Sequence, residues 1–420
     1  MPLQPSGTNQ KGLMKLLHIA DLHIGKTVNG FPMLEDQRHA LAQVLAIAER
    51  ENADALLLAG DIYDKSAPSA EAVALVDWLL CEVAKRSLPC FAIPGNHDSA
   101  ERVAYAAGPL ALQGIHMAPL FDGLVKSVEM QDEFGSVTFW LFPFLKPANV
   151  RRYFPDADIG TDYTAALRTV IDACDIDETQ RNVLLCHQFV TWNGSEPERS
   201  DSELSVGGLD NVDASVFERF DYVALGHIHR PQRIGRDSIR YAGSLLKYSA
   251  SETEHVKGVT VIALGAKPES GACSIEISLA PIEPLHDMRK VKGPLSELID
   301  PAIAESADHK DYLHVTLTDE EPAIDALARL RAVYPNVMTL EYERKRQRAA
   351  VETPAALDDE EALDPMMLFA RFFEERTGTA LSDQQEKMAF KAMHAQMAAE
   401  SEGTDVSQTR SASEQEGSRR

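Results

Sequence analysis

The amino-acid sequence predicts an α/β protein whose main domain is a two-sheet β-sandwich flanked by helices. Three observations carry that prediction. Between residues 14 and 93, short apolar runs alternate with stretches of helical period. A second group of apolar runs gathers at 125–144, 183–187 and 222–227. Five of these runs stop abruptly at groups able to bind a metal or move a proton. The run at 16–20 ends in Asp21-Leu22-His23, and the run at 55–59 ends in Gly60-Asp61. The next, at 91–94, ends in Gly95-Asn96-His97-Asp98. The last two end in His187 and in Gly226-His227-Ile228-His229. A strand reverses side-chain direction at every residue, so Asp21 and His23 are expected to point to one side.

The elements follow in order. After the first strand, Leu34, Leu41, Val44, Leu45 and Ala48 give 33–52 a helical period. Ser69 is a candidate N-cap for a helix reaching residue 87. Strand, helix, strand, helix, strand implies right-handed crossovers and a largely parallel sheet. In such sheets the site lies beyond the carboxyl ends of the strands, where every candidate ligand falls. Alanine-rich 101–112 reads as helical, and 125–144 as a hairpin turning at Asp132-Glu133-Phe134-Gly135. Residues 164–173 read as a helix, and 192–209 as a polar loop with paired Gly207 and Gly208. Residues 231–244 and 258–264 read as antiparallel strands closing a second sheet.

All of these motifs fall in a first domain at 14–271, preceded by a polar leader at 1–13. Residues 272–344 read as a small α+β capping domain, with 312–318 alternating, 321–334 amphipathic and 337–342 β-rich. An acidic linker at 345–362 leads to a helical segment at 363–400, broken at Thr377-Gly378-Thr379. That segment carries Met366, Met367, Phe369, Phe372 and Phe373, too many large apolar residues for a helix alone in water. The polar tail at 401–420 reads as disordered.

Composition sets bounds. A chain of 420 residues is expected to hold two or three domains. It has no apolar run long enough to span a bilayer and no signal-peptide core near its start, so the cytoplasm is the expected compartment. The five cysteines lack CxxC spacing and read as core hydrophobes in a reducing compartment. A net charge of −24 disfavours unaided binding of nucleic acid, because Lys and Arg make the phosphate contacts. Divalent cations on an Asp-rich site can nevertheless hold phosphate, and part of the acidity lies at 352–361.

The ligand types are Asp, His and Asn, without a thiolate, which suits Mn, Fe or Zn in an oxygen-rich site. Asp21, His23, Asp61, Asn96, His187, His227 and His229 are too many for one ion. A bridging carboxylate lets them serve two, and Asp61 is the natural bridge. Two cations about 3.5–4 Å apart clamp a phosphate and acidify a water. His97 is a candidate general acid for the leaving oxygen, with Asp98 as the carboxylate that orients its ring. Asp64 reads equally as a supporting residue or a loop cap. His18 reads as packing or support. Isolated His39, His116, His255, His286, His309, His314 and His394 read as surface or core histidines. Arg230, Arg233, Arg236, Arg240 and Lys247 form a local basic cluster, either a solvated face or a phosphate-backbone contact.

Taken together and in order, these motifs resemble the calcineurin-like metallophosphoesterases. The resemblance implies that Asp21, His23, Asp61 and His229 hold one metal, and Asp61, Asn96, His187 and His227 the other. Three further stretches narrow it: 141–147 (LFPFLKP), 226–232 (GHIHRPQ) and 241–249 (YAGSLLKYS). They resemble the nuclease-subunit family of the bacterial SbcC–SbcD exonucleases. That family implies a manganese-dependent 3′-to-5′ exonuclease on duplex DNA ends and an endonuclease on single strands and hairpins, serving DNA repair, recombination and replication. It also implies docking of 363–400 on an SbcC-type ATPase, and dimerisation through helices that by position are 69–87 and 101–112. The metal motifs by themselves also suit a small-molecule phosphodiesterase, for example one acting on cyclic nucleotides.

Overall fold

The computed structural model of the chain describes residues 12–203, 210–269, 271–300, 308–319, 321 and 323–343. Two six-stranded sheets face one another. The strands are Met14–Ile19 (β1), Ala55–Ala59 (β2), Cys90–Ile93 (β3), Ile115–Met117 (β4), Lys126–Asp132 (β5) and Gly135–Leu141 (β6). Arg181–His187 (β7), Tyr222–Gly226 (β8), Gln232–Ile234 (β9), Arg236–Tyr241 (β10), Gly258–Leu264 (β11) and Ile275–Pro281 (β12) follow. The first sheet runs β12-β11-β1-β2-β3-β4, and the second β9-β10-β8-β7-β6-β5. β1 through β4 pair in parallel, as do β6, β7, β8 and β10.

The near-continuous apolar runs are explained by burial on both faces of each sheet. Leu16, Leu57, Phe91 and Ile93 point between the sheets, against Phe139, Val183, Leu185 and Tyr222. Phe91 and Phe139 stack across the gap with ring centroids 4.2 Å apart. Truncating either to alanine is expected to cost about 3–5 kcal/mol. The intervening residues, Leu17, Ile19, Leu56 and Leu58, face outward against helices Leu34–Glu51 (α1) and Ala70–Lys85 (α2). Ser69 caps α2, its Oγ accepting from the Ala72 N–H at 3.3 Å.

Several expectations change. Strand β11 does not close the second sheet; it pairs antiparallel with β1 in the first. All seven of its residues are buried, which demands neighbours on both edges, and β12 supplies the second. The first domain therefore runs through Pro281, past the boundary expected at residue 271. The stretch 101–112 is not one helix but two short ones, Ala100–Val103 and Ala107–Ala111. Ala106 between them sits at φ 60°, and Pro109 has no N–H for a continuous helical ladder. The helix expected at 321–334 is confined to Ala326–Val333.

The capping domain is a parallel three-stranded sheet, Met288–Gly293 (β13), Tyr312–Leu317 (β14) and Val337–Tyr342 (β15), over its own apolar cluster. It meets α1 through buried Asp36, which accepts from Tyr312 Oη at 2.9 Å and lies 2.9 Å from His286 Nδ1. The linker at 345–362, the segment at 363–400, the tail at 401–420, most of the leader, and Gly207 and Gly208 lie outside the described residues. No described helix is long and apolar enough to cross a membrane.

Candidate metal centre

All seven candidate ligands come to one place, beyond the carboxyl ends of β1, β2, β3, β7 and β8. They do not reach it by strand alternation. Strand β1 ends at Ile19, and Asp21 and His23 follow in left-handed backbone at φ 53° and 45°. Asp61 and His227 are also at positive φ, 48° and 112°. Such conformations cost about 1–3 kcal/mol each and persist where surrounding structure dictates them. Here the Asp21 N–H donates to the Gly60 carbonyl and the His23 N–H to the Asp61 carbonyl, which ties the two loops together. The glycines before the ligands are steric necessities. A Cβ on Gly95 would lie 2.1 Å from Asp61 Oδ1, and one on Gly226 would lie 1.9 Å from the Ala59 carbonyl.

The donor atoms form two poles that share Asp61. At the buried pole, His23 Nε2 and His229 Nε2 face each other at 3.1 Å, with Asp21 within ligating reach. Asp21 Oδ1 accepts from the His227 N–H, while its Oδ2 is buried without a hydrogen-bond partner among the described residues. At the second pole, His187 donates from Nδ1 to the Ala59 carbonyl at 2.8 Å, which turns its Nε2 into the site. There Nε2 lies 3.0 Å from Asn96 Oδ1 and 3.3 Å from Asp61 Oδ2. His227 Nδ1 lies 3.0 Å from the same Asn96 oxygen.

Ring nitrogens thus converge with carboxylate and amide oxygens at both poles, a donor set that cations would satisfy. The electrostatics agree. Burial, with the Asp61 charge adding to it, pushes the Asp21 carboxyl well above its ordinary range. Burial alone would raise Asp61 too, but the charges of His187, His23 and His97 hold it far down. Burial alone would lower His187, yet Asp61 and Asp21 carry it up to about 9. Burial lowers His23 to about 4 and His227 to about 3. The pocket is short of positive charge, and its donor set fits two divalent cations.

His97 stands exposed beside this centre, its ring edge-on to His23 with centroids 4.8 Å apart. Its Nδ1 lies 3.1 Å from the Asp64 carbonyl, which leaves Nε2 as the free ring atom. The expectation that Asp98 orients His97 is not met. The Asp98 carboxylate accepts from the backbone N–H groups of Ile62, Tyr63 and Gly95, at 2.9–3.0 Å. Three N–H donors outcompete a neighbouring ring, and Asp98 staples the Asp61 loop to the Gly95 turn. Asp64 supplies the support instead, its carboxylate 3.5 Å from His23 Nδ1 and paired with Lys26. His18 is packing, bonded to Tyr222 Oη between the sheets. The basic cluster is dispersed. Arg230 pairs with Glu198, Arg233 with Asp237 and Lys247 with Asp287, and Arg236 donates to backbone carbonyls.

Behind His229 lies a group that local motifs did not signal. Glu252, fully buried, is 3.3 Å from His229 Nδ1 and 2.6 Å from Lys257 Nζ. It comes from a 3-10 turn remote in sequence from any ligand-bearing run. Gln37 on α1 is a second such residue, bonded to the backbone at Leu22, His23 and Gly25.

Comparison with known proteins fixes the class. The family described as calcineurin-like phosphoesterase matches residues 14–231. The chain belongs to that family, whose members are metal-dependent hydrolases of phosphate esters. Within it, the chain belongs with the SbcD nuclease subunits. The SbcD subunit of the SbcCD nuclease of Staphylococcus epidermidis is 32% identical over 333 residues, spanning 78% of this chain and 85% of that protein. A second family, described as type 5 capsule protein repressor C-terminal domain, matches residues 284–377, which begin where the cap begins. Among solved structures, a dimetal phosphatase from Danio rerio covers 61% of this chain and 94% of its own at 14% identity, with a TM-score of 0.39. The protein TT1561 of Thermus thermophilus covers 64% and 99% at 13% identity, with a TM-score of 0.34.

Proposed function

We propose that the chain is the nuclease subunit of an SbcC–SbcD-type complex. It would cleave DNA phosphodiesters as a 3′-to-5′ exonuclease on duplex ends and an endonuclease on single strands and hairpins. Manganese is the proposed metal, an SbcC-type ATPase the partner of 363–400, and the cytoplasm the compartment. The observation that carries this reading is the convergence of seven candidate ligands and an exposed histidine in a chain 32% identical to a nuclease subunit.

Asp21, His23, Asp61 and His229 would hold one cation, and Asp61, Asn96, His187 and His227 the other. Two such cations supply Lewis acidity to a phosphate and acidify a water. The chain's own residues do the rest. The αL loops and their glycines hold the donors rigidly, so the site does not reorganise as charge builds up. His97, turned by the Asp64 carbonyl, keeps Nε2 free to give a proton to the leaving oxygen. Burial of Asp21, His23 and His229 excludes bulk water from one side, and exposure of Asn96 and His97 leaves the other side to the substrate.

The reading is tested by incubating the protein, with and without an SbcC-type ATPase and ATP, with end-labelled hairpin and linear duplex. Manganese, magnesium and chelator are compared, and bis-p-nitrophenyl phosphate is hydrolysed in parallel. Duplex degradation requiring manganese, the ATPase and ATP supports the proposal. Hydrolysis of the small diester with all DNA intact moves the function to a small-molecule phosphodiesterase.

A homodimer is part of the same proposal. An apolar groove of about 700 Å³ lies between α2 and the short helices after it, lined by Val73, Leu80 and Leu110, with Tyr105 83% exposed. A second copy presenting the same face would bury it. Leu110→Glu is expected to convert a dimer to a monomer by analytical ultracentrifugation, and a monomeric wild-type chain would overturn it.

A further inference from the structure

His23 and His229, which face each other across the buried pole, each have a carboxylate–lysine pair on the Nδ1 side, and among the described residues only His229 Nδ1 is hydrogen-bonded there. Behind His23 Nδ1 stands the Asp64 carboxylate, and behind that Lys26, 2.7 Å from it. Behind His229 Nδ1 stands Glu252, and behind that Lys257. The second arrangement is the more enclosed. Glu252 is 0% exposed and Lys257 7%. The Lys257 ammonium also donates to the His229 carbonyl and to Ser244 Oγ, both at 2.8 Å. Ser202 Oγ lies 2.9 Å from His229 Nδ1 and donates to Glu252 Oε1 at 2.8 Å.

Counting protons decides the state of the ring. Glu252 accepts from Lys257 Nζ through Oε2 at 2.6 Å and turns Oε1 to the ring as an acceptor. The single Ser202 hydroxyl proton has Glu252 Oε1 at 2.8 Å and Ser200 Oγ at 2.6 Å to go to, and given to either it leaves Ser202 an acceptor toward His229. Both neighbours of Nδ1 are then acceptors, and Nδ1 must carry the proton. Nε2 is left with its lone pair, aimed at His23 Nε2 and the Asp21 side of the pole. Lys257 meanwhile grips the backbone of the same residue, so ring and main chain are fixed together.

Resting on the two-cation reading, we propose that Glu252 is a positioning residue for metal binding. With Lys257 and Ser202 it holds His229 as the Nδ1–H tautomer and presents Nε2 to the cation at the buried pole. The pairing with Lys257 lets a carboxylate polarise the imidazole without adding net negative charge to a site already rich in it. Glu252 touches no substrate and acts only through His229.

The test uses the full-length chain labelled with 15N-histidine. Long-range 15N–1H spectra in chelator report the His229 tautomer, assigned with His229→Gln, and calorimetric titration with Mn2+ reports the two sites. Glu252→Leu/Lys257→Met removes both buried charges and the Glu252 acceptor together. Ser202→Ala removes only the bridging hydroxyl and decides the matter if the double variant fails to fold. The wild type is expected to show Nδ1–H at His229 and to bind two Mn2+ per chain. The double variant should lose that tautomer and bind one of the two ions about 10- to 100-fold more weakly, the other unchanged. Ser202→Ala should weaken the same ion by a smaller factor and lower the Nδ1–H population. An Nε2–H tautomer in the wild type, or wild-type affinities in the variants that fold, would overturn the proposal while the two-cation reading stands. A wild type that takes up no Mn2+ would overturn the two-cation reading and the proposal with it.

Discussion

At one pole of the site, His23 and His229 are 2% and 3% exposed and each has a lysine–carboxylate pair behind it. At the other, Asn96 and His97 stand open, and His187 leans on a backbone carbonyl instead of a charge. On the two-cation proposal, the buried pole would hold its ion against competition from water. The open pole would let a phosphate in and a product out. Asp61 belongs to both, which makes it the residue whose loss erases the distinction.

The largest effect is therefore expected from Asp61→Asn. Removing the shared charge should empty both poles, with manganese content and diester hydrolysis falling together to background. Retention of one ion by mass spectrometry would break the shared-ligand picture. Next comes the open pole alone. His97→Ala should leave manganese binding intact and lower kcat by about 10²–10⁴-fold, the range for a general acid. Loss of metal in that variant would make His97 a ligand, which its proximity to His23 and Asp61 allows geometrically. Asp98→Ala separates neighbours in sequence by role. It strands three backbone N–H groups, at about 1–3 kcal/mol for each left unsatisfied. It should lower the melting temperature, whereas His97→Ala should not.

What was legible in the sequence divides along similar lines. The convergence of the candidate ligands was legible because each closes an apolar run, and a buried run ending in Gly-Asp, Gly-Asn or Gly-His is a local signal. Gly60, Gly95 and Gly226 mark where backbone must approach a neighbouring ligand, and that need shows in sequence as an obligatory small residue. The sheet to which β11 belongs was not legible, since its buried pattern fits the interior of either sheet. Adjacency misled at Asp98, because backbone donors from a remote loop claimed its carboxylate. Glu252 and Lys257 gave no local signal at all. A glutamate in a short polar turn looks solvent-facing until the fold brings His229 against it.

The smallest effect concerns a histidine as buried as His23 but out of reach of any ligand set. His18 is 0% exposed, and burial lowers its pKa to about 3. In the unfolded chain the ring titrates near the ordinary value of about 6.5. Between those values the unfolded state binds a proton that the folded state refuses, so stability falls as the pH drops below about 6.5. The slope is about 1.4 kcal/mol per pH unit, or about 2 kcal/mol between pH 6.5 and 5. His18→Asn, compared with wild type by urea unfolding at pH 7 and pH 5 in chelator, should lose less stability across that interval by about this amount. Equal losses would mean that His18 takes up a proton in the folded state, and that a buried histidine here is tolerated in its charged form without a cation-binding partner. The contrast sharpens the view of His23, whose burial lowers its pKa in the same direction to about 4. There the refused proton keeps the ring neutral, so on the two-cation proposal the cost that is mere liability at His18 would become ligand strength.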